Sequence, residues 1–161
     1  MLVRCTKRTL DVLGGSVTLS ESLPTEDDWY LNLFWMDGKK CLLLTHADTL
    51  FSVFRARVSI PELRPIGPYL VAAIETELRA ETLPIDAFPE LQPERCRLAK
   101  TASRSTLGHM TQMVFELRYV IGNERGLDRC DIDDLNHWLR HTLRNRGGYI
   151  HPIDLVAQRI V

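Results

Sequence analysis

A β-hairpin in the first third of the chain is the feature that most restricts its fold. Two apolar runs, residues 29–36 and 40–46, flank the turn sequence Asp37-Gly38-Lys39. A turn that carries Asp-Gly between apolar runs favours a hairpin, because glycine accepts the positive φ angle that such turns require. The second run contains the unbroken apolar stretch 41–44, which is typical of a central strand buried on both faces.

The first strand of this hairpin is apolar on both faces as well. Alternation places Trp29, Leu31, Leu33 and Trp35 on one face and Tyr30, Asn32, Phe34 and Met36 on the other. Two explanations remain open at this point. Either the strand is central and covered on both sides, or helices cover one side and a second copy of the chain covers the other, which would make a homodimer through the hairpin sheet.

The remaining pattern predicts an α+β fold: an antiparallel or mixed sheet of about four strands with three to four covering helices, in a single domain over residues 1–161. Further strands are expected at 2–5 and 95–100, and 49–58 is either a strand or a short helix leading into one. Helices are expected at 7–13 before Gly14-Gly15, at about 69–83 before Pro84, from Ser105, from Asp131 to a stop at Gly147-Gly148, and at 153–160 after Pro152.

Charge is distributed unevenly along the chain. The formal net charge is -1. Residues 1–60 contain seven basic and seven acidic side chains, and residues 61–94 contain two basic and seven acidic ones. Residues 95–161 contain eleven basic and seven acidic side chains. The acidic middle and the basic last third either attract one another within the fold or present separate charged surfaces.

The strongest functional candidate is the basic segment that precedes the helix from Ser105. Arg95, Arg97, Lys100 and Arg104 lie within a ten-residue segment that contains no acidic residue. Ser103 and Ser105 flank the start of the helix, where free backbone N–H groups favour an anion. The sequence therefore predicts an anion-binding site at these residues, extended by Arg140 and Arg144 if the later helix faces the same way. The alternative is that the serines are plain helix caps on a half-exposed strand.

Two histidine-containing groups are weaker candidates. His137 and His141 share a helix face and could chelate a metal, but Arg140 and Arg144 flank them and would repel a cation. Cys41, His46, Asp48 and His109 supply nucleophile and base types, yet nothing local activates a thiolate in the apolar stretch 41–44. We therefore expect no metal, no cofactor and no catalytic residues that the sequence can name, and the four separated cysteines are expected to be reduced.

Three blocks of the chain resemble a known family. They are LVRCTKRTLDVLG, NLFWMDGKKCLLLTHADTLFSV and AKTASRSTLGHMTQMVFEL, and the closing HPIDLVAQRI is also similar. Together they resemble a family of small bacterial proteins known only as a domain of unknown function. Related sequences often have asparagine at the position of His46, and Thr111-Gln112 stands where their Arg-Ser-x-Leu-Gly-x-Met pattern continues with asparagine. The resemblance implies a bacterial, cytoplasmic, single-domain protein, and it brings no activity.

Three functions are consistent with the sequence. The one we favour is a non-enzymatic binding or regulatory module whose basic last third engages an anionic partner such as nucleic acid. The second is an enzyme acting on a phosphorylated or nucleotide-like small molecule at Ser103-Arg104-Ser105. The third is a protein-interaction component of a two-gene system with an acidic contact surface between Glu75 and Glu94. No signal peptide or membrane span is expected, and we predict a cytoplasmic location.

Overall fold

A computed structural model describes residues 1–13 and 19–160 of the chain. The predicted hairpin lies at the centre of a five-stranded sheet of order β4-β3-β2-β1-β5. In chain order the strands are β1 (Leu2–Cys5), β2 (Trp29–Met36), β3 (Lys39–His46), β4 (Ser52–Arg55) and β5 (Arg97–Lys100). The predicted α+β class is confirmed, with one strand more than expected.

The hairpin turn contains two residues rather than three. Met36 pairs with Lys39, so only Asp37 and Gly38 connect the strands. Their φ angles of 52° and 69° are both positive, as a type I′ turn requires. The Asp37 side chain also accepts the Leu127 N–H at 2.9 Å, which ties the turn to a distant loop.

The sheet is mixed because β1 pairs in parallel with both of its neighbours. β1 is parallel to β2 and to β5, whereas the β2–β3 and β3–β4 pairs are antiparallel. β5 is the edge strand next to β1, and Ser20 extends the sheet beside it through a single parallel bridge to Ala99. The carboxyl ends of β1 and β5 therefore meet at one edge of the sheet, at Cys5 and Lys100.

Helices cover both faces of the sheet. They are α1 (Lys7–Leu13), α2 (Ile66–Ala80), α3 (Arg104–Asn123), α4 (Ile132–His141) and α5 (Pro152–Arg159). Residues of α1, α2 and α5 pack with Trp29 and Leu31 in one apolar cluster, whereas α3 and α4 pack with Tyr30 and Phe34 in the other. Helices of the same chain thus account for both apolar faces of β2, and homodimerisation through this sheet stays a prediction.

Two helices have other bounds than the sequence predicted. α2 begins at Ile66 and not near Tyr69, and it is followed by Thr82 in a left-handed conformation with φ 56°. α4 ends at His141, and the next residues form a small hairpin, β6 (Arg144–Asn145) with β7 (Tyr149–Ile150), around Gly147 at φ 67°. The glycines thus make a turn inside a hairpin rather than stopping the helix. The predicted stop of α1 at Gly14-Gly15 lies outside the described residues.

None of the helices in the described part of the chain is long and apolar enough to cross a bilayer.

Candidate functional site

A crevice lies at the sheet edge where the parallel strands β1 and β5 end. From Cys5 the chain enters α1 on one face of the sheet, and from Lys100 it continues to α3 on the other face. In open sheets, ligands bind preferentially outside the carboxyl ends of parallel strands whose connections leave to opposite faces. The first and third blocks of the family resemblance meet at this edge, which makes it the first place to examine for a site.

Two adjoining cavities occupy the crevice. The larger, of about 600 Å³, is lined by Cys5, Lys7, Leu10, Asp11, Leu19, Lys100 and Thr101. The smaller, of about 370 Å³, lies between Arg4, the segment 19–24 and the segment 100–102. Leu19, Lys100 and Thr101 line both cavities. Their volumes fall in the range of small-molecule sites.

Arg4 forms the buried support of this crevice. Its guanidinium pairs with Asp28 through Nε and donates to the backbone oxygens of Lys100 at 3.1 Å and Ser22 at 2.7 Å. Asp28 in turn accepts the N–H and hydroxyl of Thr25. Arg4 therefore fixes the end of β5 to the neighbouring loop, and its charge is neutralised. No local sequence pattern indicates this role, because the partners lie 18 to 96 residues away.

The start of α3 is held in place by Ser103. Its side chain caps the helix by accepting the Thr106 N–H at 3.2 Å, and its own N–H donates to the Tyr30 hydroxyl at 3.1 Å. Burial raises the pKa of Tyr30, which keeps this hydroxyl protonated. The N–H groups of Arg104 and Ser105 precede the first helical hydrogen bonds and meet no acceptor among the residues that the structure describes. Of the two predicted serines, Ser103 is thus the cap, and Ser105 is exposed.

Four of the predicted cations lie in or beside β5 and at the start of α3, and they are exposed. They are Arg95, Arg97, Lys100 and Arg104. No carboxylate within residues 1–13 and 19–160 forms a salt bridge with any of them. Within β5, Arg97 lies in register with Leu2 and Lys100 with Cys5, about 10 Å apart along the strand. Because side chains alternate along a strand, Lys100 projects to the α1 side of the sheet with Cys5, and Arg97 projects to the opposite, α3 side. Their charge is therefore available to a ligand.

The other two predicted cations, Arg140 and Arg144, do not belong to this surface. The Arg140 side chain is 1% exposed and pairs with Glu77 and Glu81 at 2.8 Å each. Arg144 is 4% exposed and pairs with Glu116 at 2.6 Å. The predicted extension of the anion site to Arg140 and Arg144 is therefore wrong, because both side chains are buried in ion pairs. α4 directs Arg140 inward onto α2. The same contacts remove Glu77 and Glu81 from the acidic surface predicted between Glu75 and Glu94.

The outward face of α3 carries two exposed aromatic residues that sequence reasoning missed. Phe115 is 66% exposed and Tyr119 is 67% exposed. At 100° per residue, Phe115 lies within about 20° of Arg104 around the helix, so both project from the same side. Exposed Gly108 and Thr111 separate them on this side. The sequence did contain a signal for them, because both aromatic residues lie off the helix face that carries the buried residues Met110, Met113, Leu117 and Ile121.

The residues predicted as nucleophile and base types are not brought together. Cys41 and His46 lie toward opposite ends of β3 and pack in opposite apolar clusters. Burial raises the pKa of the Cys41 thiol, which disfavours a thiolate. The His46 Nδ1 accepts the Thr49 N–H at 3.2 Å, so its proton is on Nε2, which faces the Glu90 carboxylate at 3.4 Å. His46 thus closes the turn after β3 inside the core.

Comparison with known proteins identifies a family whose description names no activity. The family model described as Domain of unknown function (DUF6933) matches residues 2–155. No curated protein matches the chain.

Proposed function

For this chain, which belongs to the DUF6933 family, we propose a non-enzymatic role as a binding or regulatory module for nucleic acid. The binding surface is the β5–α3 surface, which we define as Arg95, Arg97, Arg104, Phe115 and Tyr119. The observation that carries the proposal is that three exposed cations without an ion-pair partner in the described structure lie close to the start of α3. Elsewhere in that structure eight arginines form salt bridges, namely Arg4, Arg55, Arg57, Arg79, Arg140, Arg144, Arg146 and Arg159. Other arginines form none there, so the lack of a partner singles out this surface only together with the helix start and the two exposed rings.

Unpaired cations contribute to nucleic-acid affinity in a way that paired cations do not. A phosphate that approaches an ion-paired arginine competes with a carboxylate, whereas one that approaches Arg97 or Arg104 displaces only water and counterions. Release of those counterions supplies most of the affinity for a polyanion. The free N–H groups at the start of α3 add donors for a phosphate oxygen beside Arg104.

The aromatic part of the surface favours a single strand over a duplex. Unstacked bases can stack on exposed rings, and each stacked base contributes about 1–3 kcal/mol. Phe115 and Tyr119 are one helical turn apart, which is suited to two successive bases. The backbone of such a strand would run toward Arg104 and the β5 edge.

A salt series tests the electrostatic part. Fluorescence anisotropy with a labelled 20-nucleotide single strand is measured from 50 to 200 mM salt. We expect the double variant Arg97→Glu/Arg104→Glu to bind at least about tenfold more weakly. We also expect its log–log salt slope to be smaller by about 1.4, the contribution of two phosphate contacts.

Arg125→Glu/Arg129→Glu is the matched control. Both residues are exposed, the charge change is identical, and they lie beyond the far end of α3, about 30 Å from its start. We expect less than about a twofold loss of affinity from the control. Equal losses in the two double variants, or no binding by the wild type at 50 mM salt, would overturn the proposal.

Substitution of the aromatic residues tests the stacking part. Phe115→Ala and Tyr119→Ala are each expected to weaken binding of the single strand by about fivefold or more and to leave duplex binding nearly unchanged. Tyr149→Ala removes an equally exposed ring, 74% exposed, from the β6–β7 hairpin, and it should have no effect. An equal loss for single strand and duplex would contradict base stacking.

The two cavities of the crevice support a second candidate, a phosphorylated or nucleotide-like small molecule. Lys100 lines both cavities, and Lys7 lines the larger one. A thermal-shift series with nucleotides should then raise the melting temperature of the wild type and not that of Lys100→Ala. A shift that persists in Lys100→Ala would place the ligand elsewhere and contradict this candidate.

A further inference from the structure

Three potential metal ligands converge where α2 meets α4. Glu81 directly follows α2, and His137 and His141 lie one turn apart on α4. His137 Nδ1 is 3.1 Å from Glu81 Oε1, and His141 Nε2 is 2.9 Å from Glu81 Oε2. One donor atom from each of the three residues lies within 4.8 Å of the other two. Donors around a four-coordinate zinc ion are separated by about 3.3 Å, so small side-chain rotations bring these three to a common ion.

The two arginines that argued against a metal site in the sequence do not occupy the solvent side of this group, where an ion would enter. Arg144 points to Glu116 on α3. Arg140 contacts Glu81 Oε1 from the buried side, and it also pairs at 2.8 Å with Glu77, a carboxylate that it shares with Arg55. The Oε2 atom of Glu81 has no arginine contact in the described structure and faces His141. The repulsion expected from the sequence is therefore largely cancelled.

We propose that Glu81, His137 and His141 bind a divalent transition-metal ion of the zinc, nickel or copper class. Two imidazoles and one carboxylate suit these ions, whereas magnesium and calcium prefer oxygen donors alone. The His137 and His141 side chains are 62% and 40% exposed, so water completes the coordination from the solvent side. The hydrogen bond that Arg140 donates to Glu81 orients the carboxylate, as residues that contact the ligands do in other metal sites.

The state of the three groups in the metal-free protein fits such a site. Arg140 Nε donates to Glu81 Oε1 at 2.9 Å, and His141 Nε2 lies 2.9 Å from Glu81 Oε2. The carboxylate is therefore already oriented. The rings of His137 and His141 are stacked with centroids 3.9 Å apart, so both approach Glu81 from one side.

The expected consequence of binding is mechanical. α2 covers one face of the sheet and α4 covers the other, and their contact runs past the outer strand β4. An ion held by Glu81 on one side and the histidines on the other ties the two layers together. Because the unfolded chain lacks this arrangement, binding adds to the stability of the fold.

The experiment uses the full chain after treatment with a chelator. Zn²⁺, Co²⁺ and Mg²⁺ are added separately, and the melting temperature and the bound stoichiometry are measured. We expect one Zn²⁺ per chain, a rise in melting temperature of about 5 °C at saturation, and no response to Mg²⁺. Co²⁺ should give a visible spectrum without the charge-transfer band of thiolate ligation, which separates this site from the four free cysteines.

Variants assign the ion to these residues. His137→Gln and His141→Gln should each weaken Zn²⁺ binding by about tenfold or more, whereas His109→Gln on α3 should bind as the wild type does. These histidine variants retain the contact between Arg140 and Glu81, so the fold is preserved. Absence of zinc uptake by the wild type, thiolate absorption with Co²⁺, or equal binding by His137→Gln and the wild type would each overturn the proposal.

Discussion

The contact between α2 and α4 and the β5–α3 surface use the same residue type for opposite purposes. Arg140 is enclosed between two carboxylates, whereas Arg97 and Arg104 meet none in the described part of the chain. All three arginines come from the same basic third of the sequence. The excess of positive charge there is therefore divided in three dimensions into a share that stabilises the fold and a share available to a ligand. Net charge along the sequence does not distinguish the two shares.

Removal of Arg140 should produce the largest difference between the two regions. We expect Arg140→Ala to lower the free energy of unfolding by about 3–5 kcal/mol, because it leaves Glu81 without its arginine and Glu77 with Arg55 alone. Urea denaturation measures the loss. A cost below about 1 kcal/mol would mean that water or Arg55 replaces the guanidinium, and the distinction between the regions would fail.

The second largest effect is expected at low pH, where the contact between α2 and α4 should stabilise the fold less. The folded-state pKa of Glu81 lies below its ordinary value of 4.5. Its stabilising contribution is therefore complete above pH 4.5 and is lost as pH falls through the lower, folded-state pKa. We expect the free energy of unfolding of Glu81→Gln to fall less steeply than that of the wild type below pH 4.5. Glu75→Gln is the control, because within residues 1–13 and 19–160 its carboxylate forms a salt bridge only with the surface residue Arg79. Parallel pH profiles for wild type and Glu81→Gln would contradict the assignment.

A smaller effect is expected from the two serines at the start of α3. Ser103→Ala should cost about 1 kcal/mol of stability, because the Thr106 N–H loses its cap. Ser105→Ala should change stability by less than about 0.3 kcal/mol, since its side chain is exposed and caps nothing in the described structure. Thermal unfolding of the pair measures the difference. Equal losses would show that the helix start is held differently.

A similarly small effect on stability is expected from the exposed cations. Arg97→Ala and Arg104→Ala should each change the free energy of unfolding by no more than about 0.5 kcal/mol. A loss of 2 kcal/mol or more in urea denaturation would show that these side chains stabilise the fold, and the comparison would then lose its basis.

Local patterns in the sequence predicted the elements that local chemistry determines. The Asp37-Gly38 turn and the buried stretch 41–44 gave the centre of the sheet. The start of α2 was misplaced because Pro68 falls in its first turn, where a missing N–H costs nothing. Its end was misplaced because Thr82, rather than glycine, takes the left-handed conformation.

The candidate sites were predicted less completely because they depend on distant partners. The basic segment 95–104 was recognisable, since its residues are neighbours in the chain. Glu81 is 56 residues from His137, and no periodicity or spacing connects them. The sequence could therefore suggest the histidine pair but neither its third ligand nor the inward direction of Arg140. Pairing between a carboxylate and a base on different helices is a property of packing, which the order of residues alone does not reveal.

One turn and a half of α4 performs three tasks at once. Asn136 accepts the Phe54 N–H and donates to the Phe54 carbonyl, Arg140 enters the core, and His137 and His141 face Glu81. Insertion or deletion of one residue within this turn would rotate everything beyond it by about 100°. Related chains should consequently differ here by exchange of side chains and never by a change in length, and loop grafts or tags belong on the Gly147-Gly148 turn instead.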